Sequence, residues 1–378
     1  MSTKFYIVIV FLITLSTKVF CSGKGVPPKT TLSITAETQH GESIYVQGEH
    51  PLLGNGSIIR SVRLNPRQYP KWELNLDFSQ WNNLSNSFKY RFIKRRDQAE
   101  DIDKEENYSA ISEWSEFSIL SRQSNKPSRR IAPRYRLQTI ANMSSRYVSN
   151  KRPIYIYAPV EIAAKIPICL LYMHDAQQLF KTGPSGWDLE NLIPFSNIQN
   201  KCTLIVVGVG NSADRMREYL PPYSQGPEGA GIGDKYANFI GRELMPYIEN
   251  EILAGRPIHR RVIAGASMGG LISLYFSNLS TPWMAKRFDA IMAFSPSIQF
   301  SEILSELQHF EGRIYIDSGS TGPGFDHYQE VNFLRDLLLN RGLVFGRDLL
   351  HIVGVGHAHQ ELFWRTRLQE NLSWAFNP

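Results

Sequence analysis

The stretch that most constrains this chain is Arg261-Val-Ile-Ala-Gly265-Ala266-Ser267-Met268-Gly269-Gly270-Leu271. A short apolar run, Val262-Ile263-Ala264, breaks at Gly-Ala-Ser-Met-Gly and resumes at helical spacing through Tyr275 and Phe276. That pattern predicts a strand, a sharp turn and a helix, with Ser267 on the turn. Such a turn strains the serine backbone and holds its Oγ out of the sheet. A side chain at Gly265 or Gly269 would collide with the adjoining strand or helix. A helix starting at Met268 aims its first amide hydrogens at the same place.

A turn of this kind needs a sheet to stand on, and the second half of the chain supplies one. Pro153–Pro159, Ile166–Met173, Thr203–Val209, Asp289–Phe294, Arg313–Asp317 and Leu349–Val353 are short apolar runs. Residues 236–248 and 331–340 carry helical spacing between them, and Gly342 ends the second helix. The alternation predicts a mostly parallel, doubly wound α/β sheet over residues 136–378. From Thr30 to Leu120 the rhythm is different: short segments alternate with period two, and no helical stretch separates them. This reads as a smaller immunoglobulin-like β-sandwich over residues 30–120, with Trp72 in its core. The polar, basic, proline-containing segment within 121–135 is the expected linker, and the acidic run Asp97–Glu106 reads as a solvated loop.

Ahead of the sandwich, Lys4 precedes an apolar run, Phe5–Leu15, that is too short to span a bilayer. It suits a signal peptide over residues 1–22, so the expectation is a secreted or periplasmic protein with no stable membrane span. Cys169 and Cys202 then remain, both at strand starts, either as small buried hydrophobes or as a disulfide. A net charge of +6 is spread over scattered basic pairs, which argues against nucleic acid. No Cys/His set has metal-ligand spacing, and no cofactor is implied.

In doubly wound sheets, reactive groups gather beyond the carboxyl ends of the strands. Here those ends offer His174 and Asp175, then Ser267, then Asp317 and Asp326, then His357 and His359. Serine, acid, histidine is the chain order of an α/β-hydrolase triad. Arg215, Glu218 and Tyr219 follow another strand end, where they either bind substrate or close an internal Arg–Glu pair. Gly226–Gly233 lacks the lysine of a phosphate loop and reads as a mobile loop near the site.

Two resemblances bear on these candidates. Glu42–Gly48, Pro51–Asn55, Tyr69–Trp72 and Phe88–Ile93 resemble a starch-binding domain, which implies weak carbohydrate binding by the sandwich. Gly56 stands where that family carries a stacking tryptophan. The second half resembles the esterase family of enterochelin esterases, feruloyl esterases, S-formylglutathione hydrolase and the mycolyltransferases. The matching segments are Leu170–Phe180, Gly186-Trp187-Asp188, Val206–Asn211, Arg215–Tyr219, the Ser267 turn, Phe294-Ser-Pro-Ser297 and the C-terminal His-Trp pair. The resemblance implies Ser267 as nucleophile, and His359, five positions before Trp364, as base. The backbone amides of Met268 and Gln177 become oxyanion donors, and Trp187 joins Arg215, Glu218 and Tyr219 as substrate-binding candidates. The acid departs from the family spacing: Asp326 is preferred, Asp317 is the alternative and Glu330 comes third. The implied activity is hydrolysis of a small-molecule or glycan-linked carboxylic ester through an acyl-serine. Acyl transfer by the same triad, or glycan binding beside a degenerate hydrolase, is the alternative.

Overall fold

The computed structural model describes residues 29–39, 41–58, 60–77, 87–96, 108–118, 133–163, 166–196, 198, 202–277, 288–301, 310–354 and 356–376. The expected signal peptide, the acidic run 97–106 and the expected linker up to residue 132 lie outside them. The chain divides into two compact units, residues 1–124 with 344–347, and residues 125–343 with 348–378.

The first unit is an antiparallel sandwich. One sheet joins Lys29–Thr35, Lys71–Asp77 and Asn65–Gln68; the other joins Val62–Arg63, Glu42–Gly48, Ser87–Arg96, Tyr108–Ala110 and Ser115–Ser118. Period-two alternation places Leu32, Ile34, Trp72, Leu74, Val46, Tyr90 and Phe92 inside. Trp72 is buried and donates its indole N–H to the Ala36 carbonyl at 2.9 Å, which satisfies its one polar atom. The strands at 62–63, 65–68 and 108–110 carry little periodicity because they are so short. Asn65–Gln68 also holds Pro66, which an edge position tolerates.

The second unit is built on an eight-stranded sheet in the order Leu349–Gly354, Arg313–Gly319, Ala290–Phe294, Ile258–Ala266, Ile168–Met173, Thr203–Val209, Arg152–Pro159, Tyr135–Met143. Arg152–Pro159 alone runs opposite to the other seven strands. All six residues of Ile168–Met173 are buried, as the unbroken apolar run requires of a strand covered on both faces. Cys169 and Cys202 meet as a disulfide at the start of two paired strands, with Cα atoms 5.8 Å apart. The helix expected at 236–248 runs from Gly233 to Ile252. Its turns widen at Ile240–Leu244 and Tyr247–Ile252, on either side of Pro246, which has no N–H to give the preceding turn. A further helix, Glu361–Ala375, buries Trp364, Arg367, Leu368 and Leu372 on one face. Among the described residues, no helix is long and apolar enough to cross a membrane.

Candidate active site

Ser267 sits between the strand Ile258–Ala266 and the helix Met268–Tyr275 at φ 58°, ψ −124°, a strained conformation for a residue with a side chain. Its backbone is tied on both sides to the next strand end. Ser267 N–H donates to the Phe294 carbonyl at 2.9 Å, and Ser297 N–H donates to the Ser267 carbonyl at 3.1 Å. Ser267 Oγ hydrogen-bonds Ser297 Oγ at 3.1 Å. A Cβ at Gly265 would lie 2.6 Å from the Gly269 carbonyl oxygen, a contact real side chains do not make. Gly269 is crowded differently from the expectation. A Cβ there would meet Asp175 Oδ2 at 3.3 Å and His174 Cβ at 3.4 Å, so the neighbouring strand end lies against it.

Asp326 and His359 come together from separate loops. His359 Nδ1 lies 2.5 Å from Asp326 Oδ1, and the imidazole meets the Trp364 ring edge-on at 4.8 Å. Asp326 Oδ2 accepts from Ser295 Oγ at 2.6 Å and from the Gly319 N–H. Burial alone would raise the Asp326 carboxyl, but bonds from His359, Ser295 and Gly319 outweigh it and hold the group below the usual carboxylate range. The extra residues 320–325 let the acid reach back, and glycine at 319 permits the approach. A Cβ there would lie 2.9 Å from Asp326 Oδ2 and 2.1 Å from the His357 carbonyl oxygen.

Asp317 lies elsewhere. It is fully buried and accepts from Arg367 Nε and Nη2 at 2.8 and 3.1 Å, Tyr315 Oη at 2.7 Å and Ser295 N–H at 2.8 Å. All its lone-pair directions are used, so it is a structural acid and not an alternative partner for His359. Glu330 is exposed beside His327. His357 stacks on Phe363 and faces Arg367.

The substrate-binding expectations need correction. Trp187 is 3% exposed, stacked on Trp364 and edge-on to Phe294, so it is a wall of the core. Glu218 is fully buried and pairs with Arg152 at 2.6 Å, with Asn150 and Ser212 on its other lone pairs. The expected Arg215–Glu218 pair is therefore absent. Arg215 instead forks onto Asp175, Nε to Oδ1 at 2.7 Å and Nη2 to Oδ2 at 2.8 Å. Tyr219 is buried beneath that guanidinium, and its hydroxyl accepts from the Asp175 N–H at 3.3 Å. Met216 and Arg217 of the helix Arg215–Glu218 are half-buried, and Leu220 just after it is buried. Met216, Arg217 and Leu220 meet Met268, Phe300 and the tight hairpin turn at 226–229 around a shallow surface recess. The segment expected as a mobile loop is a hairpin, Gln225–Gly226 against Gly229–Ala230.

Met268 is the first residue of its helix and Gln177 the second of the helix Ala176–Leu179. Neither N–H has an acceptor inside its own helix, so both are available at the elbow. His174 is buried against Tyr236, Nδ1 to hydroxyl at 2.9 Å, and burial lowers its pKa to about 3. It stays neutral in the core and does not pair with Asp175.

Ser295 and Arg367 are the working parts that sequence reasoning missed. Ser295 lay inside the quoted Phe294-Ser-Pro-Ser297 segment. Arg367 left only its place one helical turn beyond Trp364.

An eight-stranded, mostly parallel sheet with a strained serine between strand and helix defines the α/β-hydrolase class. The family model described as "Putative esterase" matches residues 145–375, and this chain belongs to that esterase family. The starch binding domain model matches residues 28–120. Among solved structures, the siderophore hydrolase EstA from Aspergillus nidulans is 18% identical at a TM-score of 0.49, covering 68% of this chain and 98% of its own. Enterochelin esterase from Shigella flexneri is 16% identical at a TM-score of 0.49, covering 93% of each chain. An alpha-amylase of Streptomyces violaceus is 34% identical over 65 residues, 17% of this chain; the chain spans 11% of that amylase's length.

Proposed function

We propose that this protein is an exported serine esterase that cleaves carboxylic esters through an acyl-serine intermediate. The observation that carries the reading is the His359–Asp326 pair at 2.5 Å, with Asp326 bonded to Ser295, the residue after Phe294, whose carbonyl accepts the N–H of a serine held at φ 58°. With Nδ1 engaged by Asp326, His359 keeps Nε2 as the base that takes the Ser267 proton during attack on the ester carbonyl. The Met268 and Gln177 amides receive the oxyanion, at roughly 3–4 kcal/mol per donor. His359 returns the proton to the departing alcohol, and water then repeats the sequence on the acyl-serine. The surface beside Met268, apolar on Met216 and Phe300 with the Arg217 cation at its edge, would carry one arm of the ester. The disulfide supports export, since such bonds persist in oxidising compartments.

The test is covalent labelling with a fluorophosphonate probe, followed by mapping of the labelled peptide. The expected label is on Ser267 and is lost in His359→Ala. Folded protein that takes no label overturns the reading. Product analysis with and without an alcohol acceptor then separates hydrolysis from acyl transfer.

The starch binding domain match favours a second component, a sandwich that holds the enzyme on a polysaccharide carrying the ester. Tyr69 and Trp114 are its large exposed aromatics among the described residues, at 54% and 43%. Sedimentation of the full chain with insoluble starch checks this, and no depletion from solution would argue against it.

A further inference from the structure

We propose that the Asp175 carboxylate is a strut that fixes the separation of the two oxyanion donors, Met268 N–H and Gln177 N–H. The inference rests on the esterase reading above. It starts from a carboxylate with three charge-assisted or amide donors and no reacting partner. Asp175 ends the turn after Ile168–Met173 in the left-handed region, φ 55°, and its own N–H is spent on the Tyr219 hydroxyl. Arg215 grips both carboxylate oxygens, at 2.7 and 2.8 Å, and Asn211 Nδ2 donates to Oδ1 at 2.7 Å.

Asn211 passes this constraint on to Gln177. The Gln177 amide donates to Asn211 Oδ1 at 2.6 Å and to its carbonyl at 3.2 Å, and Asn211 N–H returns a bond to Gln177 Oε1 at 3.1 Å. The side chain of Gln177 is thereby tied at its far end, so its peptide plane cannot swing independently of residue 211. On the other flank, Asp175 Oδ2 sits 3.3 Å from the place a Cβ on Gly269 would occupy, one residue past Met268. One carboxylate is therefore bonded through Asn211 to the Gln177 side and stands close against the first turn of the Met268 helix, so the two donors, which arrive from different strand ends, share it as a neighbour. A bidentate guanidinium suits this role because its planar fork fixes angle as well as distance. An oxyanion hole is sensitive to that geometry, since its donors must meet an oxygen that exists only in the transition state.

Asp175 and Arg215 are positioning residues in this account, so the loss should fall on kcat and not on KM. The experiment compares wild type, Asp175→Asn and Arg215→Lys in turnover of a p-nitrophenyl ester and in inhibition by phenylboronic acid. The boronate adduct on serine presents a tetrahedral anion to the donors. Expected is a fall in kcat of about 10- to 100-fold with KM changed less than about twofold. The boronate inhibition constant should rise by the same factor as kcat/KM falls. Arg215→Lys keeps the cation and the fold, so it carries the test if Asp175→Asn fails to fold. Folded variants with wild-type kcat, or with KM and kcat altered in equal measure, overturn the strut alone. Wild-type protein that neither turns over esters nor takes the boronate overturns the esterase reading and the strut with it.

Discussion

Asp326 follows the strand two places to one side of the elbow strand, and Asp175 follows the strand next to it on the other side. Both carboxylates take several hydrogen bonds, and both belong to loops closed by a left-handed residue. They differ in their principal partner. Asp326 faces an imidazole, whose ring nitrogens can both accept and give a proton, whereas Asp175 faces a guanidinium, which only donates. The first can therefore serve proton transfer and the second only position. Asp317, walled in by Arg367, is a third carboxylate at the same rim whose role is packing. The acid's identity as aspartate says nothing of its use; the group across from it does.

The largest effect expected removes what both flanks serve. Ser267→Ala should lower kcat by on the order of 10⁴-fold or more with the fold retained, measured as ester turnover beside a thermal melt. Next, Asp326→Asn should cost on the order of 10³-fold or more in kcat, because the imidazole loses the partner that sets its tautomer. Asp317→Asn should cost kcat of the folded protein far less than Asp326→Asn and instead lower stability by about 3 kcal/mol, since the buried Arg367 loses its principal opposing charge while keeping an amide acceptor. Equal kcat losses at the two positions would break the distinction between them. Glu218→Gln should behave like Asp317→Asn on a smaller scale, about 2–3 kcal/mol by urea unfolding, because Arg152 keeps a hydrogen-bond acceptor but loses the opposing charge.

The smallest effect is on pH dependence. Asp326 is held below the ordinary range in the fold. Its contribution to stability is therefore complete above the unfolded carboxylate value of about 3.9 and is lost as pH falls through the lower folded value. Urea midpoints of wild type and Asp326→Asn should differ by a constant amount near neutrality and converge in acid. A difference that widened on acidification would contradict the sign of the shift.

Much of this was written in local pattern. The serine turn, the buried strands and the period-two sandwich follow from spacing, because each places its apolar residues by a rule that spans only a few neighbours. Ser267 stood out for the same reason, whereas His359 stood out only through the resemblance to the esterase family, which sets the histidine five positions before a tryptophan. The choice among Asp317, Asp326 and Glu330 was not legible, since it depends on where the loop 320–325 folds back, and loops carry no periodicity. Trp187, Glu218 and Tyr219 read as substrate-binding candidates because polarity and aromaticity do not reveal depth, and the structure buries all three. Their burial depends on Trp364, Arg152 and Arg215, which lie from four to 177 positions away in the chain. The sequence by itself determined the strand, the elbow and the helix, where one residue's neighbours suffice. Only the tertiary structure decided which charge faces which, because an ion pair or a strut is set by distance in space between segments whose order along the chain leaves that distance open.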